Sequence, residues 1–189
     1  MNFKQFKSIA LVSLLITMAG CSTAPTHLIV SPQVSLSPSN QLYGKAAHLT
    51  VVDMRTSPHI VQILEKGEAA TILSSKQRLE YILHDILTQQ WQKQGLTFTE
   101  KANNKITVTV EKAIMSVTQE SVSYVTQSEI IIKISIDNSK QTLTSSFRNR
   151  AHNEGPLHAD IANLESEFNK HLSTLIKKIL LSNDIKTFL

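Results

Sequence analysis

Residues 105–150 read KITVTVEKAIMSVTQESVSYVTQSEIIIKISIDNSKQTLTSSFRNR, and the fold is decided there. Ile106, Val108 and Val110 alternate with threonines, the period of two that marks a half-buried strand. The apolar phase then moves to Ala113, Met115 and Val117, which predicts a bulge or twist near Lys112 in a strand over 105–118. Residues 121–137 keep Val122, Tyr124, Ile130, Ile132, Ile134 and Ile136 in phase. Residues 140–150 turn Leu143 and Phe147 inward and Thr142, Thr144, Ser146, Arg148 and Arg150 outward. The connections Gln119-Glu120 and Asp137-Asn138-Ser139 are short and polar, so the three strands form antiparallel hairpins.

Two amphipathic stretches flank this meander. Over 75–94, Leu79, Ile82, Leu83, Ile86, Leu87 and Trp91 fall on one helical stripe. Ser74 with Gln77 resembles a capping box, and Gly95 stands where a left-handed C′ residue belongs. Residues 151–157, with Gly155-Pro156, read as a turn before a second helix over about 158–181, whose stripe runs from Ile161 and Leu164 to Ile179 and Leu180. The tail IKTFL is left open, docked or free. Upstream, 47–54 reads as a strand, and 27–36 as an edge or broken strand because Pro32 cannot donate to a ladder. Residues 55–73, punctuated by Pro58 and Gly67, show no sustained period and read as a long loop with at most a short strand or hairpin. The expected order is β-β-α-β-β-β-α. This predicts an α+β fold with an antiparallel or mixed sheet of about five strands and both helices packed on one face.

The N-terminus is an export signal. Lys4 and Lys7 precede an uncharged apolar run, Ile9 to Met18, too short to span a bilayer as a mature helix. Met18-Ala19-Gly20-Cys21 resembles the lipobox of bacterial lipoproteins, with cleavage between Gly20 and Cys21 and a covalent lipid on Cys21. Acyl chains contribute about 0.8 kcal/mol per buried methylene, so two or more give stable anchoring. Ser22 in place of aspartate resembles the outer-membrane sorting default. The chain then divides into a signal peptide, 1–20; a lipidated cysteine and tether, 21–26; and one periplasmic domain, 27–189. The tether reaches under about 20 Å. Without its signal the chain drops from +4 to +2, which gives no electrostatic case for nucleic acid. Once acylated, the lone cysteine leaves no thiol for a disulfide.

Candidate chemistry is sparse. Asp53 and Arg55 end a strand on one side; they read as a salt bridge or, alternatively, a pair for a polar ligand beside the long loop. Arg148 and Arg150 close a polar row that is either a solvated sheet face or a binding surface for an anionic group or a protein. None of the histidines, His27, His48, His59, His84, His152, His158 and His171, makes an HExxH pattern, and no metal or catalytic residue is expected. There is no Gly-x-Ser-x-Gly elbow, and Glu165 and Glu167 read as solvated neighbours.

Taken in order, IVSPQVSL, VVDMRT, LEYILHDILTQQWQKQGL, VTQESVSYVTQSEIIIKI, Asn153-Glu154-Gly155 and a C-terminal helix with a short apolar tail resemble the YajG family of small bacterial lipoproteins over almost the whole chain. The resemblance implies an outer-membrane lipoprotein with a periplasmic α+β domain, no cofactor beyond the lipid on Cys21, and no catalytic residue. The function expected is a non-enzymatic binding or accessory module, held to the membrane by its N-terminal lipid and offered to an envelope protein partner. The alternative is a carrier or sensor of a small envelope ligand, a muropeptide or a lipid.

Overall fold

The computed structural model describes residues 27–189. The signal, Cys21 and the tether lie outside them. In chain order the elements are β1 (His27–Leu28), β2 (Ala46–Asp53), β3 (His59–Glu65), β4 (Thr71–Ser75), α1 (Leu79–Lys93), β5 (Thr97–Phe98), β6 (Asn104–Gln119), β7 (Ser123–Asp137), β8 (Thr142–Pro156), α2 (Ile161–Leu181) and α3 (Asn183–Phe188).

The eight strands form one curled mixed sheet organised on β6. One edge of β6 pairs antiparallel with β7 along its length, and β7 pairs antiparallel with β8. The other edge is shared end to end by two parallel partners: β2 takes Asn104–Val110 and β3 takes Met115–Gln119. Between them β6 carries a bulge at Val110/Lys112, where the shift in apolar phase predicts one. β4 then adds antiparallel to β3, and β1 parallel to β4.

The α+β architecture agrees with the sequence, but the expected strand count and order do not. The stretch 55–73, expected to be mainly loop, contains all of β3 and the start of β4. β3 hides from a period-two search because Ile60 is an extra residue in the β3–β4 ladder. The bulge lets Ile60 and Val61 both go inside, so alternation fails there. Gly67, with φ of +88°, belongs to the β3–β4 connection, where the left-handed conformation favours glycine. β4 also takes Ser74 and Ser75, so α1 starts later than expected. Its N-cap is Arg78 without a side-chain cap, and the Ser74–Gln77 capping box is not formed. β8 continues through Gly155-Pro156, where a turn was expected. The tail docks as α3, with Ile185 buried.

The C-terminus of α1 follows the sequence closely. Gly95 has φ of +95°; its N–H donates to Gln92 O at 2.9 Å, and Leu96 N–H to Trp91 O at 3.1 Å. This is a Schellman motif. A Cβ at Gly95 would lie 2.9 Å from Tyr43 N, so the site excludes side chains twice over.

One apolar core joins the layers. Ile106, Val108, Val110, Ile130, Ile132, Ile134 and Ile136 from the sheet meet Leu83, Leu87 and Trp91 of α1 and Phe168, Leu172, Leu175 and Ile176 of α2, all buried. Residues 29–45 then cross over both helices. Val30 and Pro32 point inward, Gln90 Nε2 donates to Val34 O at 3.0 Å, and Leu42 N–H donates to Gln94 O at 2.9 Å. Among the described residues, no helix is long and apolar enough to cross a membrane.

Candidate binding face

Asp53 and Arg55 sit at the gap between β2 and β3. The Arg55 Nε donates to Asp53 Oδ1 at 2.9 Å and Nη2 to Asp53 Oδ2 at 2.8 Å. Nη1 donates to His59 O at 3.1 Å and Ala113 O at 3.2 Å. Ala113 lies just past the β6 bulge, where neither neighbouring strand completes the ladder. The guanidinium therefore serves as a splice, supplying donors that the broken edge lacks. The two side chains are only 7% and 16% exposed. Burial raises the Asp53 carboxyl, but the side-chain and backbone hydrogen bonds from Arg55, with its charge, outweigh that and hold it below its ordinary value.

Arg148 and Arg150 lie on the opposite, uncovered face. β8 pairs with β7 so that Arg150 stands across from Glu129 and Arg148 across from Ile131. The β6 bulge brings the consecutive residues Glu111 and Lys112 out together, where Glu111 meets Lys133 at 3.0 Å and Lys112 meets Glu129 at 2.6 Å. Glu129 is thus held by three cations: Lys112 Nζ at 2.6 Å, Arg150 Nε at 2.6 Å and Arg148 Nε at 3.6 Å. The hydrogen bonds from Lys112, then Arg150, pull its carboxyl down to about 2. Glu129 is 18% exposed, whereas Arg148 and Arg150 are 54% and 66% exposed. Across this face Lys112, Lys133, Arg148 and Arg150 gather on Glu111 and Glu129, while farther along β8 His152 faces Glu154 at 3.6 Å. A shallow groove of about 480 Å³ runs between Lys112, Ile114, Ser116, Gln127, Glu129, Arg150 and His152.

The candidate residues therefore separate: Asp53 and Arg55 are inside, Arg148 and Arg150 outside. Lys112 and Glu129 complete the outer cluster, and the sequence reading did not single them out. Their signal was present in the bulge and in the loop 138–141, whose length sets Glu129 opposite Arg150.

The covered side of the same strands is polar near α2. Thr126 Oγ1 donates to Glu167 Oε1 at 2.7 Å, and Asn153 Nδ2 donates to the same oxygen. Ser128 Oγ pairs with His171 Nδ1 at 2.7 Å. Burial pushes His171 down, with Glu167 opposing and Lys170 adding to the shift. Glu165 accepts the Ile29 N–H at 2.8 Å. Glu165 and Glu167, expected to be solvated, instead hold α2 to its surroundings.

The architecture is that of an α+β domain with one covered and one open sheet face. A family model described as "Uncharacterized lipoprotein" (Lipoprotein_16) matches residues 32–189, and the chain belongs to that family. The "Uncharacterized lipoprotein YajG" of Escherichia coli, strain K12, is 25% identical over 178 residues, covering 93% of this chain and 92% of the relative; the protein from strain O6:H1 gives the same figures. A crystal structure of a Xanthomonas campestris protein of family-model DUF330 covers 87% of this chain and 97% of its own, with TM-score 0.58 and 12% identity, and shares the fold. The resemblance to YajG seen in the sequence is thus borne out, and the chain is a lipid-anchored envelope lipoprotein.

Proposed function

We propose that the protein is a non-enzymatic binding subunit, held at the outer membrane through Cys21 and presenting the open face of β6, β7 and β8 to a protein partner in the envelope. One observation carries the reading. The helices cover one side of the sheet, while the other side is left open where Lys112, Arg148 and Arg150 converge on a single carboxylate. Cations in surplus over their internal partner are available to an acidic surface and steer its approach. The lipid adds effective concentration by confining the domain to a thin layer beside its target.

Crosslinking in intact cells, followed by affinity purification of the lipidated protein and mass spectrometry, tests this. The expected result is one dominant protein partner that Arg148→Glu with Arg150→Glu removes. No enriched partner, or a partner indifferent to the reversal, overturns the reading. For the anchor, Cys21→Ser protein is expected to leave the membrane fraction at high salt; retention there refutes lipid attachment.

A further inference from the structure

β8 pairs with β7 over its fifteen residues and with no other strand among the described residues. In an antiparallel pair, the N–H and C=O of alternate residues point to the partner and the rest point away. About half of the β8 backbone groups therefore face outward from the sheet. Natural edges are usually blunted by shortness, proline, bulges or charge. β8 is long, its register with β7 is unbroken, and its single proline is its last residue. α2 packs on the covered face of β8, where Asn149 Nδ2 donates to His171 O at 2.9 Å; on the open face the device is charge, in Arg148 and Arg150.

We infer that this free edge accepts an extended, carboxylate-bearing segment of a partner protein as a ninth strand, its acidic side chains meeting Arg148 and Arg150. The inference rests on the binding reading above and names the partner's chemistry. Residues two apart on a strand share a face at roughly 7 Å spacing. A strand with carboxylates at alternate positions thus matches the arginine pair in spacing and sign. Main-chain hydrogen bonds supply affinity in this mode, and side chains on one face supply selection. The same residues disfavour a second copy as occupant. Asn149 is the midpoint of β8, so symmetric antiparallel pairing of two β8 edges would set Arg148 of each copy against Arg150 of the other. Four guanidinium groups would then meet with one Glu129 from each side, and like charges directly opposite are destabilising.

The test uses the mature lipoprotein in detergent micelles and a fluorescein-labelled ten-residue peptide of alternating Glu and Thr, read by anisotropy. The peptide is expected to bind saturably. Arg148→Glu with Arg150→Glu should weaken it at least tenfold, and a Lys-Thr peptide should bind that variant and not the parent. Methylating the peptide's backbone amides of one parity should weaken binding at least tenfold, and those of the other parity should not, because only one set faces β8. Circular dichroism confirms that the variant remains folded. Absent peptide binding, indifference to the arginine reversal, or equal effects of the two methylation patterns overturns strand addition. So does a dimer in sedimentation velocity that the peptide competes away, since a second copy would then own the edge. If cells yield a partner lost on charge reversal while the peptide fails, strand addition falls and the partner reading stands. If cells yield none, the partner reading itself falls.

Discussion

Two edges of the sheet, β1 and β8, are finished in opposite ways. At the β1 end the strand lasts two residues, and Pro32 follows. The backbone beyond it is met by α2 instead of a strand: Ile29 N–H donates to Glu165 at 2.8 Å, Ser31 N–H donates to Asn169 Oδ1 at 2.8 Å, and Asn169 Nδ2 returns a bond to Ile29 O at 3.1 Å. Two side chains one helical turn apart thus satisfy backbone that would otherwise template another chain. At the β8 end no side chain among the described residues does this along the strand, and Arg148 and Arg150 stand on its open face. An edge can therefore be closed from within the molecule, as it is at β1 and, among the described residues, is not at β8.

Substitutions break this comparison at different points. The largest effect is expected midway between the edges: Ile132→Asp places a carboxylate in the fully buried core. It should cost upwards of about 4 kcal/mol, read as loss of the cooperative thermal transition by circular dichroism. An unchanged melting temperature would remove β7 from the core. Arg55→Met comes next. It strips the splice of its donors and leaves Asp53 largely buried without its cation, at about 2–4 kcal/mol in denaturant melts.

Opening the closed end is expected to cost less. Glu165→Ala with Asn169→Ala should destabilise by about 1–3 kcal/mol. Hydrogen exchange should accelerate at Ile29 and Ser31 ahead of the rest; uniform acceleration would show that the strap is not a local lock. The smallest effect on stability is expected at the open end. Arg148→Ser with Arg150→Ser should change stability by under about 1 kcal/mol, because exposed pairs contribute little. Light scattering of the same variant should nevertheless show more self-association than the parent. Glu129 adds a pH signature to this end. Its folded carboxyl titrates near 2 against 4.5 for the free group, so its stabilisation is complete above 4.5 and drains away as pH falls toward 2. Glu129→Gln should flatten the acid limb of the stability curve in that window.

The sequence displayed the central meander, both long helices and the bulge near Lys112, because one face of each is buried and one polar. It hid β3, where the bulge at Ile60 puts two neighbours inside. It also hid the end-to-end placement of β2 and β3, since nothing local records that two strands share one edge. Residues 27–36 alternate as a strand does, and the structure keeps that alternation in Leu28, Val30 and Pro32 while ending the ladder after Leu28. Periodicity reports which side is buried; it does not report what supplies the hydrogen bonds. The outer cluster was half visible for a similar reason. Arg148 and Arg150 follow from alternation alone, but Lys112 and Glu129 join them only once the bulge and the turn at 138–141 fix the register.

The strap of the N-terminal segment to α2 also sets how the molecule carries mechanical load. If a partner binds as proposed, the lipoprotein is pulled at its first residues whenever that partner moves relative to the membrane. Tension entering at His27 meets the two-residue β1–β4 ladder first, and then passes through Ile29 and Ser31 into Glu165 and Asn169 of α2. From α2 it crosses to β7 and β8 through Thr126, Asn149 and Asn153. The N-terminal segment and the open edge are thus joined by a short, largely polar path through α2, which runs beside a second path through β4 and β3 and shares the load with it.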